Sequence, residues 1–565
     1  MATDLTQFGI HVLAPDVIQG WQKIPGRCFR LWGATWAGQM SNWYGICPSR
    51  GTYNWSALDS LLAKLGGRRL FYTFGYVPYW ANGGSSSNAV GAKGDAPTNI
   101  QDAVDFITAV ATRARGKIAY YSPINEPGNE WWTADLNQKS LGATSKAWVA
   151  RHYAAVKAAD PLALVTSPEF MAVNPLLQAD DFYATGYGQY CDVHAIHSYP
   201  LAASYRYRPE QVLEIDRVHR RILAYYGRPS TMLWSEGSST FNVTDPAQLL
   251  AFAAIYPLIA ASDAIDMFNW YAYDGGPWGQ LGDRGAGFAV TATAHREAIK
   301  WVTGATWTAP IARISSNNQI RNPALTGGSA GNWPVNWGAF NPDSAKGIST
   351  QVIGIGIESG TPYIDVRVFG TAAATATGYI QVNFDTATGI PCAPGQLWTE
   401  TANLSVSSPT RGGLIAAGLG HSYFNASAVY YSFGYSTEVP LFVGPSVGNP
   451  YAISQPTVDA GAVTLQPYVR LTYAIGSTVD FTVRISSPNC DTGSVYSGAF
   501  TKAGGYQGMV LWDANGGPTA YTVPSGYAYM RDCRGNQITA ASGSTITLTQ
   551  QPILLENQPF RAWVH

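Results

Sequence analysis

The chain has 565 residues, with 35 Lys+Arg against 36 Asp+Glu and a formal net charge of -1, so it carries no electrostatic footprint for nucleic acid or an anionic membrane. Charged residues make up 13% of the chain, against about 25% in an average soluble protein, while aromatics reach 13% and hydrophobics 46%. With 59 Gly and 34 Pro, this excludes a disordered chain, a collagen and a coiled coil, and leaves a neutral, aromatic-rich, turn-rich globular protein.

The chain opens Met1-Ala2-Thr3-Asp4 and enters a strand-like run at once. The basic start and apolar run of a signal peptide are missing, as is any stretch of about 18 apolar residues able to span a bilayer. Either the start has been trimmed or the protein leaves its cell by another route, such as lysis. Eight strands are then predicted: Phe8–Val12, Cys28–Trp32, Arg69–Phe74, Ile118–Ser122, Ala163–Thr166, Asp192–His197, Thr231–Trp234 and Ile265–Trp270. Amphipathic helices lie between several of them. Ile100, Ala103, Val104, Ile107, Val110 and Ala111 follow helical spacing after Pro97-Thr98, and Val212, Ile215, Ile222 and Leu223 form another apolar stripe. Residues 247–261 are apolar nearly all round and predict a buried helix. This alternation over 1–310 predicts a (β/α)8 TIM barrel, α/β in class. A doubly wound sheet is the alternative, but no G-x-G-x-x-G follows a strand.

After Trp307-Thr308-Ala309-Pro310 helical periodicity stops. Alternating runs such as 363–368 and 479–485, separated by Gly, Ser, Thr and Pro, predict an all-β sandwich or jelly roll over 311–487. A second boundary is expected near Ser486-Ser487-Pro488, leaving 488–565 as a small β domain. Six cysteines, Cys28, Cys47, Cys191, Cys392, Cys490 and Cys533, make no C-x-x-C pair; free buried thiols are expected, with Cys490–Cys533 or Cys28–Cys47 as the candidate pairs. Gly327-Gly328-Ser329-Ala330-Gly331 fits G-x-S-x-G, but its flanks, Asn322-Pro323 and Asn332-Trp333-Pro334, read as loop rather than strand and helix.

Barrel active sites lie at the C-terminal ends of the strands. Ser122-Pro123-Ile124-Asn125-Glu126-Pro127 follows the fourth strand and Trp234-Ser235-Glu236-Gly237 the seventh, so two carboxylates arrive at one face. Glycoside hydrolysis needs such a pair: one protonated to give a proton to the leaving oxygen, one ionised to attack the anomeric carbon. Capping or ion-paired acids are the bland reading of both.

Asn125-Glu126-Pro127, with Glu236 ending the seventh strand, resembles clan A of the glycoside hydrolases, most of all family 39 and its relatives acting on bacterial exopolysaccharides. Arg30-Leu31-Trp32, Gly75-Tyr76-Val77-Pro78-Tyr79-Trp80-Ala81, His194-Ala195-Ile196-His197-Ser198-Tyr199-Pro200 and Phe268-Asn269-Trp270-Tyr271 extend the likeness over most of residues 8–308. The resemblance implies Glu126 as acid/base and Glu236 as nucleophile of a retaining double displacement, with the carboxyls about 5–5.5 Å apart. It further implies Asn125 on the sugar 2-hydroxyl, Arg30 holding the nucleophile charged, His197 and Tyr199 near Glu236, and Trp270 as a sugar platform. No cofactor or metal is implied.

Other residues keep two readings. Glu130 is a rival acid or a loop residue. Glu169, ending the fifth strand, touches substrate or only faces the site. His11 hydrogen-bonds within the fold or contacts substrate. His194 and His197, three apart on a strand, point to opposite faces, which speaks against a shared metal and places His197 in the site. Fourteen of the 19 tryptophans lie in 1–310; Trp32, Trp36, Trp80, Trp131, Trp132 and Trp278 stack on sugar or form loop cores.

Residues 320–337, 383–390 and 395–398 resemble the jelly-roll modules of phage tail proteins, which are similar to carbohydrate-binding modules. Residues 505–513 and 523–527 resemble the small β domain beside clan A barrels, so the jelly roll is expected to be nested between the barrel and that companion, with 489–565 packed on the barrel. The whole implies a retaining endo-β-glycosidase of an exopolysaccharide or capsule. A phage or prophage depolymerase is expected, virion-associated or released by lysis and acting extracellularly, with a polysaccharide as partner and phage-tail or homo-oligomer contacts besides. The alternatives are an exo-acting, xylosidase-like enzyme and a non-hydrolytic tail adhesin.

Overall fold

A computed structural model describes the chain except for residues 1, 84–95, 128–140, 172–174, 201–207, 230, 239–242, 244, 275–280, 284–286, 387–388, 436–437, 447–449, 457–460 and 560–565. It divides into two compact units: 1–200, 207–312 and 496–565 form one, and 313–495 belong to the other. No described helix is long and apolar enough to cross a membrane.

The first unit is built on a nine-stranded parallel sheet: β1 Phe8–His11, β2 Cys28–Leu31, β3 Arg69–Thr73, β4 Ile118–Ser122, β5 Leu164–Val165, β6 Phe170–Met171, β7 His194–His197, β8 Met232–Gly237 and β9 Met267–Trp270. Its order is β5-β4-β3-β2-β1-β9-β8-β7-β6. The ends of that order meet. Thr166 makes a parallel bridge to Val193, and Asp192 N donates to Val165 O at 2.7 Å. The sheet is therefore curled into a TIM-like barrel, with β5 inside the expected fifth strand and β6 a further short strand beyond it. Helices cover its outside: α1 Ser56–Lys64, α2 Ile100–Arg113, α3 Ala143–Ala159, α4 Pro175–Ala184, α5 Gln211–Tyr225, α6 Pro246–Ser262 and α7 Val290–Val302. The connection from β1 to β2 carries only a short 3-10 turn, Trp21–Lys23. Asn99 caps α2 through its side chain on Gln101 N, one residue after the Pro-Thr signal. Helix α6 is buried on nearly every side, as its uniformly apolar sequence requires.

Alternation along the strands decides what faces inward. Cys28, Phe71, Tyr120, Ala195, Leu233 and Met267 fill the barrel's interior. Two residues further along β2, β3, β7 and β9 stand Arg30, Thr73, His197 and Asn269, so the polar side chains gather at the C-terminal end of the same interior column.

Strand β10, Thr306–Arg313, opens a sheet with β11 Val495–Lys502, β12 Tyr506–Asp513, β13 Tyr529–Asp532, β14 Gln537–Thr539 and β15 Ile553–Glu556, in the order β10-β11-β12-β15-β13-β14. Trp512 of β12 stacks on Tyr496 with centroids 5.5 Å apart, and its Nε1 donates to Glu210 Oε1, just before α5, at 2.5 Å. Residues 496–565 thus pack on the barrel.

The second unit consists of antiparallel sheets. One runs through 348–358, 361–371, 478–491, 397–406 and 450–456; the other is built around 414–424 and 464–473. The sequence boundary near Ser486–Pro488 falls inside the strand Thr478–Asp491. The strand carries a bulge there: its register on 397–406 shifts, and Ser487 has φ 49°. A bulge tolerates proline within a sheet, which is why a turn-like Ser-Ser-Pro does not end the strand. The six cysteines are free thiols. The G-x-S-x-G segment is a loop.

Candidate active site

Glu126 and Glu236 reach the same space by different local devices. After β4 the backbone continues irregularly: Trp148 Nε1 of α3 holds Pro123 O at 2.8 Å, Asn125 makes a parallel bridge to Glu169, and Glu126 takes a positive φ of 40°. On β8 the register shifts between Trp234 and Glu236. Strict alternation from the inward Leu233 would send Glu236 outward with Trp234. The bulge turns it inward, a common use of bulges beside active sites.

Around these carboxyls the structure brings together Arg30, Thr73, Asn125, Glu169, His197 and Tyr199. Arg30 Nη1 bonds Glu236 Oε1, while its Nη2 donates to Asn125 Oδ1 at 2.5 Å and Glu169 Oε2 at 2.8 Å. Tyr199 Oη donates to Glu236 Oε2 at 2.8 Å. His197 Nδ1 lies 2.7 Å from Glu126 Oε1 and 3.4 Å from Glu236 Oε2, and its Nε2 lies 2.9 Å from Glu169 Oε2. Glu126 is 9% exposed and Glu236 4%, whereas Glu169 is fully buried.

Burial would pull the Arg30 guanidinium down, but Glu169 and Glu236 outweigh it and hold its pKa above the usual value. Burial would lift Glu169; Arg30 and His197 overcome this and hold it at about 2. Burial would likewise neutralise His197, but Glu236, Glu126 and Glu169 raise it to about 10. Glu236 itself is raised: burial lifts it, Arg30 and His197 pull against that, and Glu126 and Glu169 add to the rise. The site therefore holds three carboxyls against two cations, and one proton on the Glu126–Glu236 pair makes it neutral.

Glu126, His197 and Glu236 present oxygen, nitrogen and oxygen atoms within 4.8 Å of one another, close enough to be tested as a cation site. The His197 ring already has a carboxyl oxygen at each nitrogen, Glu126 at Nδ1 and Glu169 at Nε2.

Several expectations are corrected. Trp270 is 1% exposed and lies on the outer side of β9, edge-on to Tyr256 of α6 and His295 of α7, so it is no sugar platform. The aromatic at the site is the next residue, Tyr271. It is half-buried, sits edge-on to His11 with centroids 4.8 Å apart, and is felt electrostatically by Arg30 and Tyr199. Alternation counted from inward Met267 would have found it. Glu169 has no surface to offer substrate: Thr73 Oγ1 occupies its Oε1 at 2.8 Å, and Arg30 and His197 share its Oε2. Trp32 is 3% exposed, tilted on Tyr76 and beneath Arg30. His11 is buried, and burial followed by Arg30 keeps it neutral. Trp80 is half-buried, with Nε1 tied to Cys47 O at 2.9 Å. His194 lies outside the barrel wall between Tyr183 and His219. Glu130, Trp131, Trp132 and Trp278 lie outside the described residues.

No protein-family model and no curated protein matches the chain. Among solved structures, a family 39 glycoside hydrolase from Bacteroides cellulosilyticus WH2 is similar at 11% identity, over 84% of this chain and 82% of its own, with a TM-score of 0.41. A glucosidase from Croceicoccus marinus matches at 13% identity, over 82% and 95%, with a TM-score of 0.39. Xylanase 10B from Thermotoga maritima matches at 13% identity, over 53% and 95%, with a TM-score of 0.37. These structural neighbours are glycoside hydrolases, but likenesses this remote assign neither family nor activity to the chain.

Proposed function

We propose that this chain is a retaining β-glycosidase. The observation that carries the reading is the buried pair Glu126 and Glu236, with carboxyl oxygens within 4.8 Å, at the C-terminal end of a parallel barrel. That proximity fits a double displacement, in which the carboxyls stand about 5–5.5 Å apart, and not the wider separation that admits a water for inversion.

Glu236 is the nucleophile. Arg30 and Tyr199 fix its two oxygens and favour its charged form once the shared proton sits on Glu126. Its oxygen attacks the anomeric carbon as Glu126 protonates the leaving oxygen. Glu126 then takes a proton from water, which attacks the glycosyl–Glu236 ester and restores the free carboxylate. His197 donates between the two carboxyls through both steps.

The substrate in this reading is a bacterial exopolysaccharide or capsule, cut internally by a phage or prophage depolymerase acting outside the cell. This part is supported by the sequence resemblances of 8–308 and 320–398. Reducing-end release from a panel of bacterial exopolysaccharides, wild type beside Glu236→Gln, tests it. Rapid viscosity loss with oligosaccharide products of retained configuration, abolished in the variant, is expected. Binding without cleavage across the panel rejects it.

A further inference from the structure

We propose that Glu169 is a positioning residue that keeps His197 doubly protonated, so that one ring N–H stands permanently between the Glu126 and Glu236 carboxyls. The sequence suggests a substrate contact for Glu169, but its oxygens are already occupied. Thr73 donates to one, and Arg30 and His197 to the other, in a place with no exposure at all. Glu169 acts on the chemistry only through His197 and Arg30.

The geometry around His197 admits few protonation states. A neutral ring leaves one nitrogen lone pair facing a carboxyl oxygen, either Glu169 at 2.9 Å or Glu126 at 2.7 Å. A proton on Glu169, which would relieve that clash, is disfavoured by Arg30 and Thr73, which donate to its two oxygens. A neutral ring would therefore demand that Glu126 hold its proton towards Nδ1, away from any leaving group. Among the described residues, the charged or titratable groups that bear on the ring are His11 from β1, Arg30 from β2, Glu126 after β4, Glu169 before β6, Tyr199 after β7 and Glu236 on β8. His11 is neutral, so Arg30 is the opposing cation, set against three carboxyls. The balance favours the imidazolium.

The consequence, which rests on the glycosidase reading, concerns where the catalytic proton lives. With His197 permanently charged, the mobile proton is confined to Glu126 and Glu236. The ring orients and screens the pair without exchanging protons with it. Glu169 contributes through its hydrogen bond at the ring nitrogen remote from the reacting atoms, beside the pull of Glu236 and Glu126 at the other.

The test measures ring protonation and rate together in the full chain. In 15N-histidine-labelled protein, with the His197 signal assigned by its loss in His197→Asn, wild type should show both ring nitrogens protonated at pH 8. Glu169→Gln should show a neutral ring at that pH. Its kcat should be lowered at every pH through Arg30 and fall about a further tenfold per pH unit above the new ring midpoint, with KM unchanged. Glu169→Asp retains the charge one methylene further away and should fall between the two. A neutral wild-type ring at pH 8, or a Glu169→Gln variant with an intact imidazolium and an unchanged pH profile, overturns the proposal. So does a variant whose only change is a raised KM at every pH, the mark of a substrate contact. If wild type cleaves no glycoside, the glycosidase reading fails while the ring signal still decides this one.

Discussion

At the level of single residues, the two carboxyls are distinguished by their donors. Glu236 is gripped by Arg30 and Tyr199 and approached by His197, while Glu126 shares His197 and is the more exposed. Glu126→Gln should therefore lower kcat/KM on sugars with poor leaving groups by roughly 10²–10⁴-fold and barely affect activated aryl glycosides, which need no proton. Equal losses on both would reject the acid assignment. Tyr199→Phe leaves a buried carboxylate oxygen without its hydroxyl donor, at a cost of about 1–3 kcal/mol. A 10- to 100-fold loss in the glycosylation rate, read by single-turnover kinetics, is expected. The sequence shows these residues because each ends a parallel strand, where the fold puts chemistry. It hides the role of Glu169, since a glutamate at a strand end reads alike whether it meets substrate or three internal donors. It misplaces the aromatic by one: tryptophan is the stronger sugar-stacking signal, but the phase of β9 points Tyr271, not Trp270, into the barrel.

Among the secondary-structure elements, the strand–helix alternation was legible because apolar periodicity changes so sharply between β1–β9 and their helices. Irregularities were not. The short further strand β6, the bulge at Glu236 and the bulge at Ser487 all depart from the period-two patterns that a sequence reading assumes. The packing of the β10–β15 sheet on the barrel depends on Trp512, which is buried, stacked on Tyr496 and bonded to Glu210. Trp512→Phe keeps the stacking but strands a buried Glu210 oxygen, so unfolding free energy should fall by about 1–3 kcal/mol. A urea midpoint equal to wild type would show that this bond contributes nothing.

For the molecule as a whole, the buried charges predict a pH window. Glu169, held at about 2 against an ordinary 4.5, adds stability that is present above pH 4.5 and lost as pH falls towards 2. His197, raised from 6.5 to about 10, adds stability that is present below pH 6.5 and lost as pH rises through 10. Burial holds His152, His219 and His421 at about 3 and His295 at about 4, so these neutral rings also favour unfolding as pH falls below 6.5, and thermal stability should decline on both sides of pH 6.5. In Glu169→Gln both declines should flatten, and wild-type slopes in that variant would refute this account.

The second unit interrupts the first between adjacent strands, since β10 and β11 are neighbours and Ile314 N donates to Val495 O at 2.7 Å. Such an insertion adds little loop-closure entropy to the unit that hosts it. Its consequence is one of timing. A ribosome that has finished β10 must make all of residues 314–494 before β11 begins. At about 5–20 residues per second, that is roughly ten to forty seconds in which the nascent barrel has no Trp512 to cover Glu210.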